Sequence, residues 1–250
     1  MDRADGMRHL KLVLQYDGTA YAGWQRQGDS PTVQGTLERA IASVTGEPCR
    51  VTGAGRTDAG VHALGQVASF RTRSQIPVEK FPAALNSHLP PDICVLCAEE
   101  VDERFHPRYD ARSRMYTYVI LNRPAPSVLL RHYAYHLPTP LDIPAMDRGI
   151  GALVGRHEFD AYRALGSNPR TTWCTIFRAS VRRRGDFVLI TVEADRFLRH
   201  MVRIITGTLI RVGTGKLPPE AVGEFLERKD NQLTGPVVPP HGLYLVKVSY

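Results

Sequence analysis

The chain has 250 residues, 43% of them hydrophobic, which is enough to bury a core in one large domain or two smaller ones. No stretch approaches the ~20 apolar residues needed to span a bilayer, and no apolar run follows the charged amino terminus, so we expect a cytoplasmic protein without a membrane contact. The net charge is +7 and most of the 32 basic residues are arginine. Arginine binds phosphate and stacks on bases, which favours a polyanionic partner, although genome composition or heat adaptation also enriches arginine.

The first half of the chain predicts the order strand, helix, strand, strand, helix, strand. Alternating apolar residues, helical spacing and turn signals place these elements at Leu10–Tyr16, Pro31–Gly46, Cys49–Gly53, Gly65–Thr72, Val78–Ser87 and Asp92–Glu100. This is the split βαβ order of a ferredoxin-like domain. The loop Tyr21–Gln27 contains an aromatic residue, amides and Arg26, a mixture suited to stacking and phosphate contact, or else a simply packed tryptophan.

The second half predicts a similar order after a boundary near His106. Its elements are a strand at Ala111–Asn122, a helix at Pro144–Gly155, an antiparallel pair at Thr172–Arg184 and Asp186–Asp195, helices from Arg196 and Pro218, and a strand at Gly242–Tyr250. We therefore predict an α+β protein of two ferredoxin-like (βαββαβ) halves with mostly antiparallel sheets, divided into domains 1–105 and 106–250.

Four cysteines occur, at positions 49, 94, 97 and 174. Cys94 and Cys97 lie in a predicted strand, where an odd separation points them to opposite faces, and no second pair has zinc spacing. We expect reduced, buried thiols and no bound metal.

Asp58 is the first candidate for chemistry, because it stands among four glycines between two predicted strands in Gly53–Gly65. Glycine permits a tight loop that presents a side chain and lets a ligand approach closely. Arg56 lies two residues earlier, on the same side of an extended backbone. The alternative is an Asx turn in which Asp58 only caps its own loop.

The second half offers two further candidates. Alternation places Tyr116, Tyr118 and Ile120 on one strand face, as an aromatic platform or as ordinary sheet packing. In the predicted helix Arg196–Val212, the residues Arg196, Arg199 and Arg203 run at i, i+3 and i+7 along one face. Arg203 should be partly buried, where a guanidinium needs a carboxylate partner.

Six short motifs, which include the candidate residues Asp58, Tyr116 and Arg203, occur together in the TruA family of tRNA pseudouridine synthases. The chain resembles this family over nearly its whole length. The motifs are Gly23-Trp24-Gln25-Arg26-Gln27, Gly55-Arg56-Thr57-Asp58-Ala59-Gly60-Val61-His62, Phe105-His106-Pro107-Arg108-Tyr109, Arg114-Met115-Tyr116-Thr117-Tyr118, His200-Met201-Val202-Arg203 and Gly242-Leu243-Tyr244-Leu245. The run Gly55–Gly60 is far more specific than a short glycine motif.

The resemblance implies a role for each matching residue. Asp58 would be the catalytic nucleophile, Tyr116 would lie against the uracil, Arg203 would be the basic partner of Asp58, and Arg56 would take the place of the flipped-out base. The other implied substrate-binding residues are Arg26, Phe105, His106, Arg108, Tyr109, Arg163, Arg170, Arg199 and Leu243. Pro107 departs from the usual Ala, and Gly166–Pro169 matches the family in position only.

The implied reaction converts uridine to pseudouridine in the anticodon stem-loop of tRNA, at uridines 38, 39 and 40, in a homodimer with a central catalytic cleft. The base is detached from C1′, turned and rejoined through C5, so no cofactor or metal is required. The carboxylate could attack C1′ or C6 or remove the C2′ proton, and Asp58, Tyr116 or water could take the C5 proton.

Other classes of protein fit the sequence less well. One alternative is a catalytically silent tRNA-binding protein or chaperone of the same fold, against which the intact set of Asp58, Tyr116 and Arg203 argues. Nucleobase deaminases need a His/Cys zinc cluster and two-carboxylate glycosidases need a second acid near Asp58, and the sequence suggests neither.

Overall fold

The computed structural model describes residues 6–167 and 169–250. The chain divides into two compact units, which are Met1–Arg112 with Leu245–Tyr250, and Ser113–Tyr244. The predicted division into functional domains at 1–105 and 106–250 stays a prediction. Within the described residues, no helix combines the length and the apolar character needed to cross a membrane.

The first unit has the predicted element order. Its elements are β1 (Arg8–Tyr16), α1 (Val33–Thr45), β2 (Thr52–Gly53), β3 (His62–Thr72), α2 (Phe81–Asn86) and β4 (Ile93–Glu100). Strand β1 pairs antiparallel with both β3 and β4, and β2 pairs antiparallel with β3. The resulting strand order β4-β1-β3-β2 is that of a ferredoxin-like domain, and this confirms the predicted fold class.

Local sequence signals explain the first strand and helix. The core face of β1 is formed by leucines at 10, 12 and 14 and by Tyr16, none more than 4% exposed. Helix α1 begins after Thr32, whose hydroxyl accepts a hydrogen bond from the Gly35 N–H, and ends at Gly46 in the left-handed region with φ 77°. Pro82 lies in the first turn of α2 and does not interrupt it, because a proline there loses no hydrogen bond.

The two strands beside the Asp58 loop differ from their predicted extents. Strand β2 contains two residues, where the sequence predicted Cys49–Gly53, and β3 begins at His62, where the sequence predicted Gly65. The β1–β3 register shifts between Leu14, opposite Gln66, and Tyr16, opposite Ala63. Such a bulge gives β3 one extra residue at the end that follows the loop.

The second unit is built on a mostly antiparallel sheet. Its elements are β5 (Ser113–Leu121), β6 (Tyr135–His136), α3 (Ile143–Gly151), β7 (Gly155–Glu158), β8 (Trp173–Arg184), β9 (Phe187–Ala194), α4 (Met201–Gly213) and α5 (Ala221–Arg228). The sheet order is β5-β9-β8-β7, and β6 pairs parallel with β5. The short strands β6 and β7 were not predicted, because two and four residues give too little periodicity to detect. A final strand, β10 (Leu243–Ser249), runs from the second unit into residues 245–250 of the first.

Helix α4 corrects one sequence prediction. It begins at Met201 after His200, which has φ 61°, and not at Arg196. Arg196 and Arg199 therefore precede the helix and share no helix face with Arg203. The apolar spacing in this segment continues upstream of the helix, which is why periodicity alone placed the boundary too early.

The cysteines also differ in part from expectation. All four are free thiols, but only Cys174 is buried, and Cys97 is exposed on β4. Burial raises the pKa of the Cys49 and Cys174 thiols to about 12, which keeps both protonated at neutral pH.

Candidate active site

Asp58 lies half-buried in the loop at 54–61, between β2 and β3. Its carbonyl oxygen accepts a hydrogen bond of 3.2 Å from the Val61 N–H, and Gly60 turns the chain between them with φ 74°. Arg56 is exposed in the same loop. The turn is therefore closed through the backbone, with an acid and a cation two residues apart.

A neighbouring loop packs directly against the backbone before Asp58. The Trp24 N–H donates to the Thr57 carbonyl at 3.1 Å. Gly23 has φ 100°, and a Cβ built there would lie 2.6 Å from that same carbonyl oxygen. Trp24 is 3% exposed and its ring covers Gly53. Trp24 is thus a packing residue. Of the two roles that the sequence allowed for it, base stacking and packing, the structure shows packing.

The side chains beneath the loop form a buried polar network. The Tyr16 hydroxyl lies 2.8 Å from Thr57 Oγ1, and Gln66 Nε2 donates to the Gly55 carbonyl at 2.9 Å. Burial raises the pKa of Tyr16 to about 12, so its phenol is neutral at physiological pH. Neither Tyr16 nor Gln66 was among the site residues predicted from the sequence. The available signal was strand alternation, which places Gln66 on the same face as Ala68 and Phe70, where a polar side chain needs hydrogen-bond partners.

Tyr116 and Arg203 both belong to the second unit. Tyr116 is 7% exposed on β5, with its ring edge-on to Phe197 at a centroid distance of 4.9 Å. Arg203 is half-buried on α4, and its Nε donates to the Val238 carbonyl at 2.7 Å. Burial raises the pKa of nearby Tyr118, and the charge of Arg203 opposes that rise. A cation is thus held close to the face of β5 that carries the tyrosines.

The segment after β4 presents a cationic and aromatic surface. The rings of His106 and Tyr109 are 4.3 Å apart, and the Arg108 guanidinium lies 5.8 Å from the Tyr109 ring. Tyr109 is 72% exposed, so its ring is accessible. Phe105 instead packs on Tyr250 at 5.1 Å. The structure therefore brings together three of the four predicted contacts of this segment.

The remaining predicted binding residues occupy varied environments. Arg26 pairs with Glu38 at 3.1 Å, and Arg163 donates to Asp160 at 2.6 Å and to the Ser167 carbonyl at 2.7 Å. Arg170 and Arg199 are exposed, whereas Leu243 is 6% exposed at the start of β10. Asn168, in the Gly166–Pro169 segment, lies outside the described residues. Over 6–167 and 169–250, no group of three or more His, Cys, Asp or Glu side chains could hold a metal.

Comparison with known proteins identifies the family. The family model described as tRNA pseudouridine synthase matches residues 12–110 and 150–250. A tRNA pseudouridine synthase A of Moorella thermoacetica is 48% identical, covering 96% of this chain and 99% of its own. Those of Thermoanaerobacter sp. (strain X514) and Acetivibrio thermocellus are each 46% identical, covering 98% of this chain and 100% of their own. This α+β chain, with Asp58 in a glycine-rich loop, is an enzyme of the isomerase class. It belongs to the tRNA pseudouridine synthase family.

The contact between Gly23 and Thr57 gives a first testable prediction. Gly23→Ala should lower the free energy of unfolding by more than ~2 kcal/mol, because the new methyl group clashes with the Thr57 carbonyl and the backbone angle is unfavourable for alanine. Gly28→Ala is the matched control, since Gly28 also has positive φ (49°) but a Cβ added there would have no atom within 4 Å. It should cost about 1 kcal/mol. Urea unfolding of both variants tests this, and equal losses would contradict the steric argument.

Proposed function

We propose that this chain isomerises uridine to pseudouridine in the anticodon arm of tRNA, at positions 38, 39 and 40, with Asp58 as the nucleophile. The observation that carries the proposal is the Asp58 loop, in which glycines and backbone hydrogen bonds present one carboxylate beside an exposed Arg56. The identity of 46% and 48% to two tRNA pseudouridine synthases A, over nearly the full length of this chain, supports the same reaction. We further propose a homodimer in the cytoplasm.

The reaction explains the residue types. Breaking the bond from C1′ to N1 and forming one from C1′ to C5 transfers no group to another molecule and changes no oxidation state. A carboxylate can promote this by attacking C1′ or C6 or by removing the C2′ proton. The proton leaving C5 then needs an acceptor, for which Asp58, Tyr116 and water are the candidates.

Arg56 would stabilise the flipped state of the RNA. A stacked uridine is out of reach of any side chain, so the nucleotide must leave its stack at a cost of a few kcal/mol. The Arg56 side chain is exposed two residues before Asp58. A planar guanidinium there could fill the vacated position and stack on neighbouring bases, which would offset part of that cost.

Tyr116 and Arg203 would complete the catalytic set. Tyr116, whose ring packs edge-on against Phe197, would lie against the uracil. Arg203 would act as the basic partner of Asp58. The bond from Arg203 Nε to the Val238 carbonyl fixes the plane of the guanidinium. A guanidinium carries several N–H donors in a rigid fork, which is the geometry that suits a carboxylate.

The first test of this function replaces the nucleophile. Asp58→Asn keeps the shape of the side chain but removes the carboxylate, so pseudouridine formation should fall by at least ~10⁴-fold while tRNA binding changes little. Asp230→Asn is the control, because Asp230 accepts the Gln232 N–H in an ordinary Asx turn. Nucleoside chromatography of digested tRNA measures product. Appreciable turnover by Asp58→Asn would exclude Asp58 as nucleophile and restore the turn-capping alternative.

A second test concerns Arg203. Arg203→Met keeps the apolar stem and removes the cation, which should lower the single-turnover rate on the order of 100-fold with tRNA affinity little changed. Arg211→Met is the matched control, since Arg211 is a half-buried arginine on the same helix that also donates to a backbone carbonyl, that of Leu233 at 2.9 Å. An equal loss of rate in both variants would mean that Arg203 supports the helix and takes no part in the reaction.

A third test addresses tRNA binding. Affinity should fall linearly on a log–log plot against salt, because bound phosphates release counterions. Arg108→Ala should reduce the slope by about 1, whereas Tyr109→Leu should weaken binding without changing the slope, because it removes only stacking. Arg184→Ala, at the exposed β8–β9 turn, should have no effect on either quantity. A flat salt response of the unaltered protein would contradict binding to the tRNA backbone.

A further inference from the structure

Side chains of β1 and β3 form hydrogen bonds to the loop that carries Asp58. The Tyr16 hydroxyl, at the last residue of β1, lies 2.8 Å from Thr57 Oγ1. Gln66 Nε2, on β3, lies 2.9 Å from the Gly55 carbonyl oxygen and 3.4 Å from the Tyr16 hydroxyl. These bonds secure the loop at one and three residues before Asp58.

The hydroxyl of Tyr16 takes part in two hydrogen bonds of the network. Gln66 Nε2 can only donate, so the Tyr16 oxygen accepts that bond, whereas either hydroxyl can be the donor in the bond between Tyr16 and Thr57. Gln66 Oε1 accepts the Val67 N–H at 3.2 Å, which fixes the amide orientation. Tyr16, Thr57 and Gln66 are 4%, 7% and 0% exposed, so water cannot readily replace a lost partner.

The strand register explains how Tyr16 comes to lie under the loop. Leu14 is opposite Gln66 on the core face, and regular pairing would place Tyr16 opposite residue 64. Because β3 has one extra residue, Tyr16 lies opposite Ala63 instead, which is one residue closer to the loop. Bulges of this kind commonly re-aim a side chain beside a functional site.

We propose that Tyr16 and Gln66 are positioning residues for the isomerisation, which act through Thr57 and Gly55 to hold the backbone of Asp58 in its reactive place. Neither residue is expected to touch the substrate, because both are buried and both bind the loop. The inference rests on the proposed role of Asp58. It predicts that loosening the network slows the chemical step, since a displacement of about 1 Å in a reacting group can cost ~100-fold in rate.

Loss of a hydrogen bond that only stabilises the fold should lower the melting temperature without slowing the reaction. A matched control variant distinguishes this case from a positioning role. Tyr162 is also buried, and its hydroxyl donates to the Val222 carbonyl at 2.7 Å in the second unit. Tyr162→Phe and Tyr16→Phe therefore remove the same group from similarly buried sites. Only Tyr16→Phe removes it from the support of Asp58.

The experiment compares the melting temperature, the tRNA dissociation constant and the single-turnover rate at saturating enzyme. We expect similar losses of melting temperature in Tyr16→Phe and Tyr162→Phe, and dissociation constants within about twofold of the unaltered protein. The rate should fall roughly 10- to 100-fold in Tyr16→Phe only. A rate for Tyr16→Phe within about twofold of that of Tyr162→Phe would overturn the proposal.

Substitutions at Thr57 test the positioning role independently, and they can be used even if Tyr16→Phe fails to fold. Thr57→Val keeps the shape and removes the hydroxyl, so it should slow the reaction like Tyr16→Phe, whereas Thr57→Ser should retain the rate. Tyr16→Phe with Thr57→Val should be no slower than Tyr16→Phe alone, because the hydrogen bond that Thr57→Val breaks is already absent from that variant. Equal rates for the valine and serine variants would overturn the proposal.

The same assay keeps this proposal distinct from the proposed function. Loss of product in Asp58→Asn together with full rates in Tyr16→Phe and Thr57→Val would remove the positioning role and leave the nucleophile in place. Turnover by Asp58→Asn would contradict the role of Asp58 and the positioning inference with it.

Discussion

The hydrogen bond between the Tyr16 and Thr57 hydroxyls is the interaction around which the candidate site is organised. It joins the end of a central strand to the residue before Asp58, and Gln66 and Trp24 add bonds to the Gly55 and Thr57 carbonyls. A carboxylate on a loop is useful in catalysis only if the loop keeps one shape while a large RNA is bound and released. Buried hydroxyl and amide groups provide this, because an unmade hydrogen bond in a dry interior costs far more than one in water.

The ferredoxin-like order places this loop where such support is available. The connection from β2 to β3 leaves from an edge strand and returns into a strand that lies beside β1. Side chains at the end of β1 therefore lie beneath the connection without any additional element. The close approach of the Gly23 loop, which admits no Cβ, restrains the same backbone from a second direction.

The sequence was sufficient to predict the elements with strong periodicity and specific motifs. Alternating leucines in β1, the Thr32 and Gly46 signals of α1 and the glycine run around Asp58 each depend on local rules. The start of α4 at Met201 was not predictable, because His200 adopts a left-handed conformation that is unusual for a residue other than glycine, and the apolar spacing runs past it. Tyr16 and Gln66 were missed for a related reason. Their pairing with the loop depends on a register shift between strands, which periodicity does not encode.

We propose that the chain breaks the uridine glycosidic bond and rejoins the base through C5, and this reaction must release the hydrogen bound to C5. Transcribed tRNA with tritium at uridine C5 would be incubated with the unaltered protein, and label in water would be counted over time. We expect tritium to appear in water in step with pseudouridine. Tight binding of the tRNA with all tritium retained would contradict the claim and would identify a catalytically silent tRNA-binding protein.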